Sequence, residues 1–329
     1  MAFRLILLLC LVTVASIPAP RPAAAGEADG ALSVGVLKFG TVNWQLDTVK
    51  AHHLDRAAGV SLKILPLASK NATSVALQAG EVDLIVSDWV WVMRQRASGA
   101  DFAFVPYSHA LGALVVAADS GVERVADLAG KRIGVAGGPL DKSWLILRAW
   151  SERELGFDIG ARAAPVFGAP PLLNEQLRRG DLDAVLTFWP YAARLEAQGY
   201  RRLAMVSKLL ADLGIEGPLS LVGYVFREGR ARERRDDYRA FFDAVVAANR
   251  ILATSDPEWD RLRPVMKAGS DAEFERLKAG FRVGLPKEGS MSLTDAEALY
   301  RLLAKHGGEK LLGRGTHFDP NAFWTFGAR

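Results

Sequence analysis

Ala76-Leu77-Gln78-Ala79-Gly80-Glu81-Val82-Asp83-Leu84-Ile85-Val86-Ser87-Asp88-Trp89 returns, altered, one hundred residues later as Gln176-Leu177-Arg178-Arg179-Gly180-Asp181-Leu182-Asp183-Ala184-Val185-Leu186-Thr187-Phe188-Trp189. Each copy reads as the end of a helix, a glycine, an acid, an apolar residue, an Asp, an apolar run, a hydroxyl and a Trp. Gly80 and Gly180 suit the left-handed position that closes a helix. The runs Leu84–Val86 and Ala184–Leu186 suit strands buried on both faces. Two such units predict an α/β fold of two lobes built alike. Open α/β sheets bind ligands at the carboxyl ends of their strands. Two strand ends of this kind, each closing on a Trp, can face each other across a cleft.

The first 25 residues read as a secretory signal: Arg4 gives the charge, Leu5–Ile17 the apolar core, and Ala23-Ala24-Ala25 the cleavage site. The apolar run is short for a membrane span. Periplasmic export is therefore expected. The chain's single Cys, Cys10, lies within that run, and Leu8-Leu9 before it does not make a lipoprotein box. The exported chain would hold no Cys, which excludes disulfides, thiol catalysis and cysteine metal sites. Stability must then come from the core, and a chain of this length can bury a large one. Removing Arg4 and Arg21 lowers the formal charge from +4 to +2, which favours no class of polyelectrolyte partner. The stretch Arg227–Arg239 interleaves its arginines with Glu and Asp, the pattern of a solvated helix face, so no nucleic-acid partner is expected.

Strands are expected at Leu32–Phe39, Ser61–Pro66, Val82–Val86, Phe102–Val105, Leu114–Ala118, the segment ending at Val135, Pro165–Phe167, Val185–Phe188 and Leu219–Phe226. A helix following Trp44 would set Leu46, Val49, His53 and Ala57 on one face. Ser69 or Asn71 caps the helix that ends at Gly80. Further helices are expected over about 141–155, 171–179, 238–252, 271–279 and 294–306, with an irregular aromatic tail at 316–326. Alternation of strands and helices implies mostly parallel sheets. Two strand-like connections, near 113–118 and 219–226, would form a hinge. The domain reading is a signal at 1–25, lobe one at 26–118 and 223–329, and lobe two at 119–222.

Three stretches carry a family resemblance: Ala76–Asp83 (ALQAGEVD), Val125–Val135 (VADLAGKRIGV) and Leu177–Ala184 (LRRGDLDA). In order and spacing, over about 31–255, the chain resembles periplasmic substrate-binding proteins of ABC importers. More narrowly, it resembles the family for nitrate, taurine, aliphatic sulfonates and thiamine-pyrimidine precursors. The resemblance implies a two-lobed periplasmic-binding-protein fold of type II, each lobe a mostly parallel sheet flanked by helices, with the ligand cleft between lobes. It also implies an extracytoplasmic receptor that delivers a small molecule to a membrane permease, with no resident cofactor. The alternatives are an enzyme on the same fold, of the pyrimidine-precursor-synthesis type, or a ligand-sensing subunit.

Loops at the strand ends supply the ligand-binding candidates. The first lobe gives Asn43, Trp44, Ser69, Lys70, Asn71, Ser87, Asp88, Trp89 and Tyr107. The second gives Gly137, Gly138, Asp141, Lys142, Ser143, Phe188 and Trp189. Aromatics outnumber Arg here, which suits a planar or partly apolar ligand. Gly137-Gly138-Pro139 before a helix could offer backbone N–H groups to an anion. Lys142 could pair with a carboxylate or sulfonate, or lie on the surface; Asp88 could accept from an amine, or cap a helix. Aromatic molecules, sulfonates, carboxylates and metal chelates are the ligand classes compatible with this set. His52-His53 are adjacent and would point apart on a helix, with His53 expected partly buried; no metal site is expected. No nucleophile elbow and no zinc-binding helix motif occurs, so no catalytic residues are assigned. Nothing in the chain demands more than a monomer.

Overall fold

The computed structural model describes residues 30–286, 291–313 and 317–326. The expected signal at 1–25 lies outside the described residues. The chain opens with strand β1 (Leu32–Leu37), helices α1 (Val42–Ala51) and α2 (Leu54–Ala58), β2 (Leu62–Leu67), α3 (Lys70–Ala79), β3 (Leu84–Asp88), α4 (Trp89–Arg96) and β4 (Phe102–Ser108). Next come β5 (Ala113–Val116), β6 (Arg132–Ala136), α5 (Lys142–Leu155), α6 (Ile159–Arg162), β7 (Ala164–Gly168), α7 (Pro170–Arg178), β8 (Ala184–Thr187), α8 (Trp189–Ala197), β9 (Arg201–Met205) and α9 (Val206–Asp212). The chain then adds β10 (Val222–Arg227), α10 (Glu228–Glu233), α11 (Arg235–Thr254), α12 (Asp256–Met266), α13 (Asp271–Gly284) and α14 (Leu293–Leu312).

Among the described residues the strands make two five-stranded sheets, ordered β2-β1-β3-β10-β4 and β7-β6-β8-β5-β9. The orders superimpose element for element. In each sheet four strands run the same way, and one antiparallel strand, β10 or β5, lies between the third and fifth. The α/β expectation of mostly parallel sheets flanked by helices is met. The repeated sequence explains why. Gly80 and Gly180 take φ +78° and +75°, and Glu81 and Asp181 donate back to Ala76 and Gln176 at 2.9 Å, closing each helix the same way. Asp83 and Asp183 then do one job twice. Each carboxylate accepts, at 2.8 Å, the backbone N–H of the neighbouring strand, from Ser33 or Arg132.

β5 pairs antiparallel with β8 and β9, so Ala113–Val116 belongs to the second sheet, whereas the sequence reading put 26–118 in lobe one. Both antiparallel strands are the ones the chain enters after crossing from the other sheet. The expected continuous helix after Trp44 breaks at His52-His53. His53 adopts φ +53° and is exposed rather than partly buried, while His52 Nε2 lies 2.9 Å from Glu258 Oε2. β9 and α12 were not anticipated; β9 is short and only partly buried, and α12 carries Pro264 within it.

From Ala31 onward the described residues belong to one compact unit. The helices after β10 bind it together. α11 and α12 cover α1, α13 packs on α8 of the second sheet, and α14 lies against both α4 and α5. They also pin the connections between sheets: His109 N donates to Gly284 O at 2.8 Å, and Gly217 N to Asp295 Oδ2 at 2.7 Å. No described helix is long and apolar enough to cross a membrane.

Candidate functional site

At the end of β3, Asp88 begins α4 in an extended conformation and caps it, its Oδ1 accepting from Trp91 N at 2.8 Å. Its Oδ2 accepts a hydrogen bond from Lys70 and forms an ion pair with Lys142. Lys70, the first residue of α3, lies 2.5 Å away, and Lys142, the first residue of α5 in the other half, 3.1 Å away. Asp88 is only 4% exposed. Burial alone would raise its pKa, but Lys142 and Lys70 outweigh that and hold it well below the ordinary carboxylate range. Asp88 in turn raises the Lys70 ammonium above its usual value.

The second half repeats the capping with Asp141, which accepts from Ser143 N at 2.9 Å and Trp144 N at 3.4 Å. Here burial wins and pushes the carboxyl up, against the pull of Lys142 and the two N–H groups. The glycines before it are conformationally required. Gly137 and Gly138 take φ +97° and +137°, and a Cβ on Gly137 would lie 3.0 Å from Asp141 Oδ2. The expectation that this turn offers N–H groups to an anion is narrowed, because several of them already have partners. Gly137 N donates to Gly168 O at 3.1 Å, and the Ser143 and Trp144 amides are taken by Asp141. Ser143 contributes its backbone to that cap and is itself buried.

An aromatic contact also joins the halves. Trp44 of α1 meets Trp189 of α8 edge-on at 6.1 Å, and is backed by Trp259 at 6.0 Å and Phe281 at 5.7 Å. Gly280 lets α13 approach closely, since a Cβ there would lie 2.8 Å from the Trp189 ring. Trp259, Phe281 and Gly280 were missed by sequence reasoning. Their signal was the Ser255 and Ser270 caps, which start two amphipathic helices with these residues on the buried face. Tyr107 is buried, donates to Thr41 Oγ1 at 3.1 Å, and its phenol is pushed up by burial.

The structure thus brings Lys70, Asp88, Asp141 and Lys142 into one cluster, and Trp44 and Trp189 into another. Other candidates are placed differently. Asn43 braces the preceding turn, donating to Leu37 O and Gly40 O at 2.8 Å each. Ser69 caps α3 through Ala72 N at 3.1 Å, and Asn71 is exposed beside it. Phe188 is 39% exposed at the start of α8. Ser87 is buried with its hydroxyl unpartnered among the described residues, as is that of its counterpart Thr187. Trp89 is removed from the set. It is 0% exposed and packs on Tyr300, Phe318 and Phe323 in the core, because the tail folds back over α4. Among the described residues no group of His, Cys, Asp and Glu is arranged to hold a metal ion.

A comparison with curated protein sequences finds no significant match. Solved structures do match. The alkanesulfonate-binding protein SsuA of Xanthomonas axonopodis pv. citri, solved with MOPS bound, is 20% identical with a TM-score of 0.69, over 90% of this chain and 98% of that one. The periplasmic aliphatic sulphonate-binding protein SsuA of Escherichia coli is 19% identical with a TM-score of 0.70, over 87% and 89%. These likenesses establish the periplasmic-binding-protein fold. A family model described as NMT1/THI5-like matches residues 56–258, more than half of the chain. The chain therefore belongs to the NMT1/THI5-like family.

Proposed function

We propose that this protein is an extracytoplasmic solute receptor that takes a small organic anion between its two sheets and hands it to an ABC-type permease. The observation that carries this reading is the convergence of Lys70 and Lys142, from opposite halves, on one carboxylate oxygen of Asp88. A solute carboxylate or sulfonate offers those lysines the same chemistry as Asp88 does. Trp44 and Trp189, which also meet across the two halves, would supply an apolar wall for the rest of the solute. The relatives that bind alkanesulfonates and share the fold lend support to a sulfonate. In this reading the lobes are 31–108 with 222–326, and 113–215, and residues 1–25 direct export. The protein acts as a monomer and binds neither nucleic acid nor a metal of its own.

The function is binding without turnover. Among the described residues Ser220 Oγ lies 2.9 Å from His109 Nδ1, but Ser220 is 0% exposed, at the connection into β10. Native mass spectrometry of protein taken from its own periplasm, followed by denaturation, tests the proposal. An organic acid released unchanged at one per chain is the expected result. A cationic solute, a chemically altered one, or no thermal stabilisation by any member of a sulfonate and carboxylate panel overturns it.

A further inference from the structure

Asp88 is buried, and a buried carboxylate is stable only when paired. Its pairing is divided between the halves of the molecule. Lys70 reaches it from its own sheet and is half-exposed, whereas Lys142 reaches it from the other and is 17% exposed. Moving the second sheet away would strip Asp88 of its better-covered partner and leave Lys142 without this carboxylate. The charge contact does not act alone. Trp44 and Trp189 touch across the same boundary, and α13 seats Trp189 through Gly280.

We infer that Asp88 is a built-in counter-anion: its pairing with Lys142 holds the two sheets together before any solute arrives, and a solute anion takes its place between the lysines. The second clause rests on the organic-anion reading above; the first does not. A receptor whose closure depends on ligand contacts rests open and closes on binding. This one rests closed, and the solute exchanges an internal ion pair for an external one. Asp88 then acts on specificity as well, because a solute must outcompete a carboxylate already in position.

The test is a pair of spin labels at Val75→Cys on α3 and Leu172→Cys on α7, both exposed, in a Cys10→Ser background. Asp88→Asn removes the charge while keeping a good helix cap, so α4 retains its first turn. Lys142→Met removes the same contact from the other side and leaves Asp88 to Lys70. Ligand-free wild-type protein is expected to give one narrow, short distance distribution, and both variants to lose it for a longer, broader one. If Asp88→Asn does not fold, Lys142→Met decides the matter. A wild-type distribution already long and broad, or variants that reproduce the wild-type one, overturns the inference. Benzenesulfonate and benzoate added to the same samples separate the two claims. Binding of either, with distances insensitive to both substitutions, sinks the counter-anion and keeps the organic-anion reading. Loosened variants beside wild-type protein that binds neither sink that reading and keep the latch.

Discussion

Ser87-Asp88-Trp89 and Thr187-Phe188-Trp189 occupy the same place in two sheets of the same order, yet their side chains do opposite work. In the first copy the charged residue faces the other half, and the Trp is sealed under Tyr300, Phe318 and Phe323. In the second copy a Phe stands at the cap position, and the Trp turns to meet Trp44. The backbone is alike because glycine, acid and apolar run fix helix closure, register and burial locally. The side chains diverge because different late segments pack on them. The tail covers Trp89, while α13, with Gly280 toward the ring, leaves Trp189 at the boundary between sheets.

The sharpest way to break this comparison is to truncate both tryptophans. Trp89→Ala empties a fully buried site and is expected to cost about 3–5 kcal/mol of stability, read from denaturant unfolding. Trp189→Ala should cost clearly less stability and instead weaken solute binding by about 1 kcal/mol or more, read by calorimetry. Equal stability losses, or an affinity loss confined to Trp89→Ala, would mean that the two residues do not have the roles assigned here.

Next in size is the charge asymmetry. Lys142→Met removes a charged donor that the second half contributes to the first, and should weaken binding of an organic anion by about 1.5–3 kcal/mol. Arg178→Met, on an exposed ion pair with Glu175, should leave affinity unchanged. Smaller still is a test of where the copies are the same. Gly80→Val and Gly180→Val each force a β-branched residue to positive φ with open space around the new Cβ, so the strain is conformational alone. Each should lower stability by about 1–2 kcal/mol, and by similar amounts, with affinity retained. A large difference between them in thermal unfolding would show that the closures are not equivalent.

These cases mark what the sequence could and could not disclose. Gly80, Asp83 and their counterparts act on atoms within a few residues or on the adjacent strand, so the repeated pattern was enough to place two like sheets. The lysine–aspartate cluster was legible as separate candidates at strand ends, since Asp88 and Lys142 each begin a helix there. Their meeting at 3.1 Å was not, because it depends on how two sheets face each other. Trp89 was misplaced for the same reason in reverse. A strand-end Trp looks like a ligand wall until a segment more than two hundred residues later covers it. The continuous helix through His53 failed on a local matter. The apolar spacing was right, but the turn at His52-His53 carries no glycine or proline to announce it.

The last prediction makes the second copy resemble the first. Phe188 precedes α8 with no side-chain cap, and Pro190 at the second helical position has no N–H to be capped. An Asp at 188 can accept from Tyr191 N, the third position, as Asp88 does from Trp91 N. Phe188 is partly exposed and begins a helix that meets α13, so the loss of its apolar contacts is modest. Phe188→Asp should therefore stabilise the fold by about 0.5–1 kcal/mol, measured by denaturant unfolding near neutral pH. The new carboxylate lies beside Trp189 without a second pair of lysines to neutralise it, so affinity for an organic anion should fall rather than rise. A variant that gains stability and also binds an anion more tightly would show that charge in the second copy does not face the solute. The division of labour between the copies would then need redrawing.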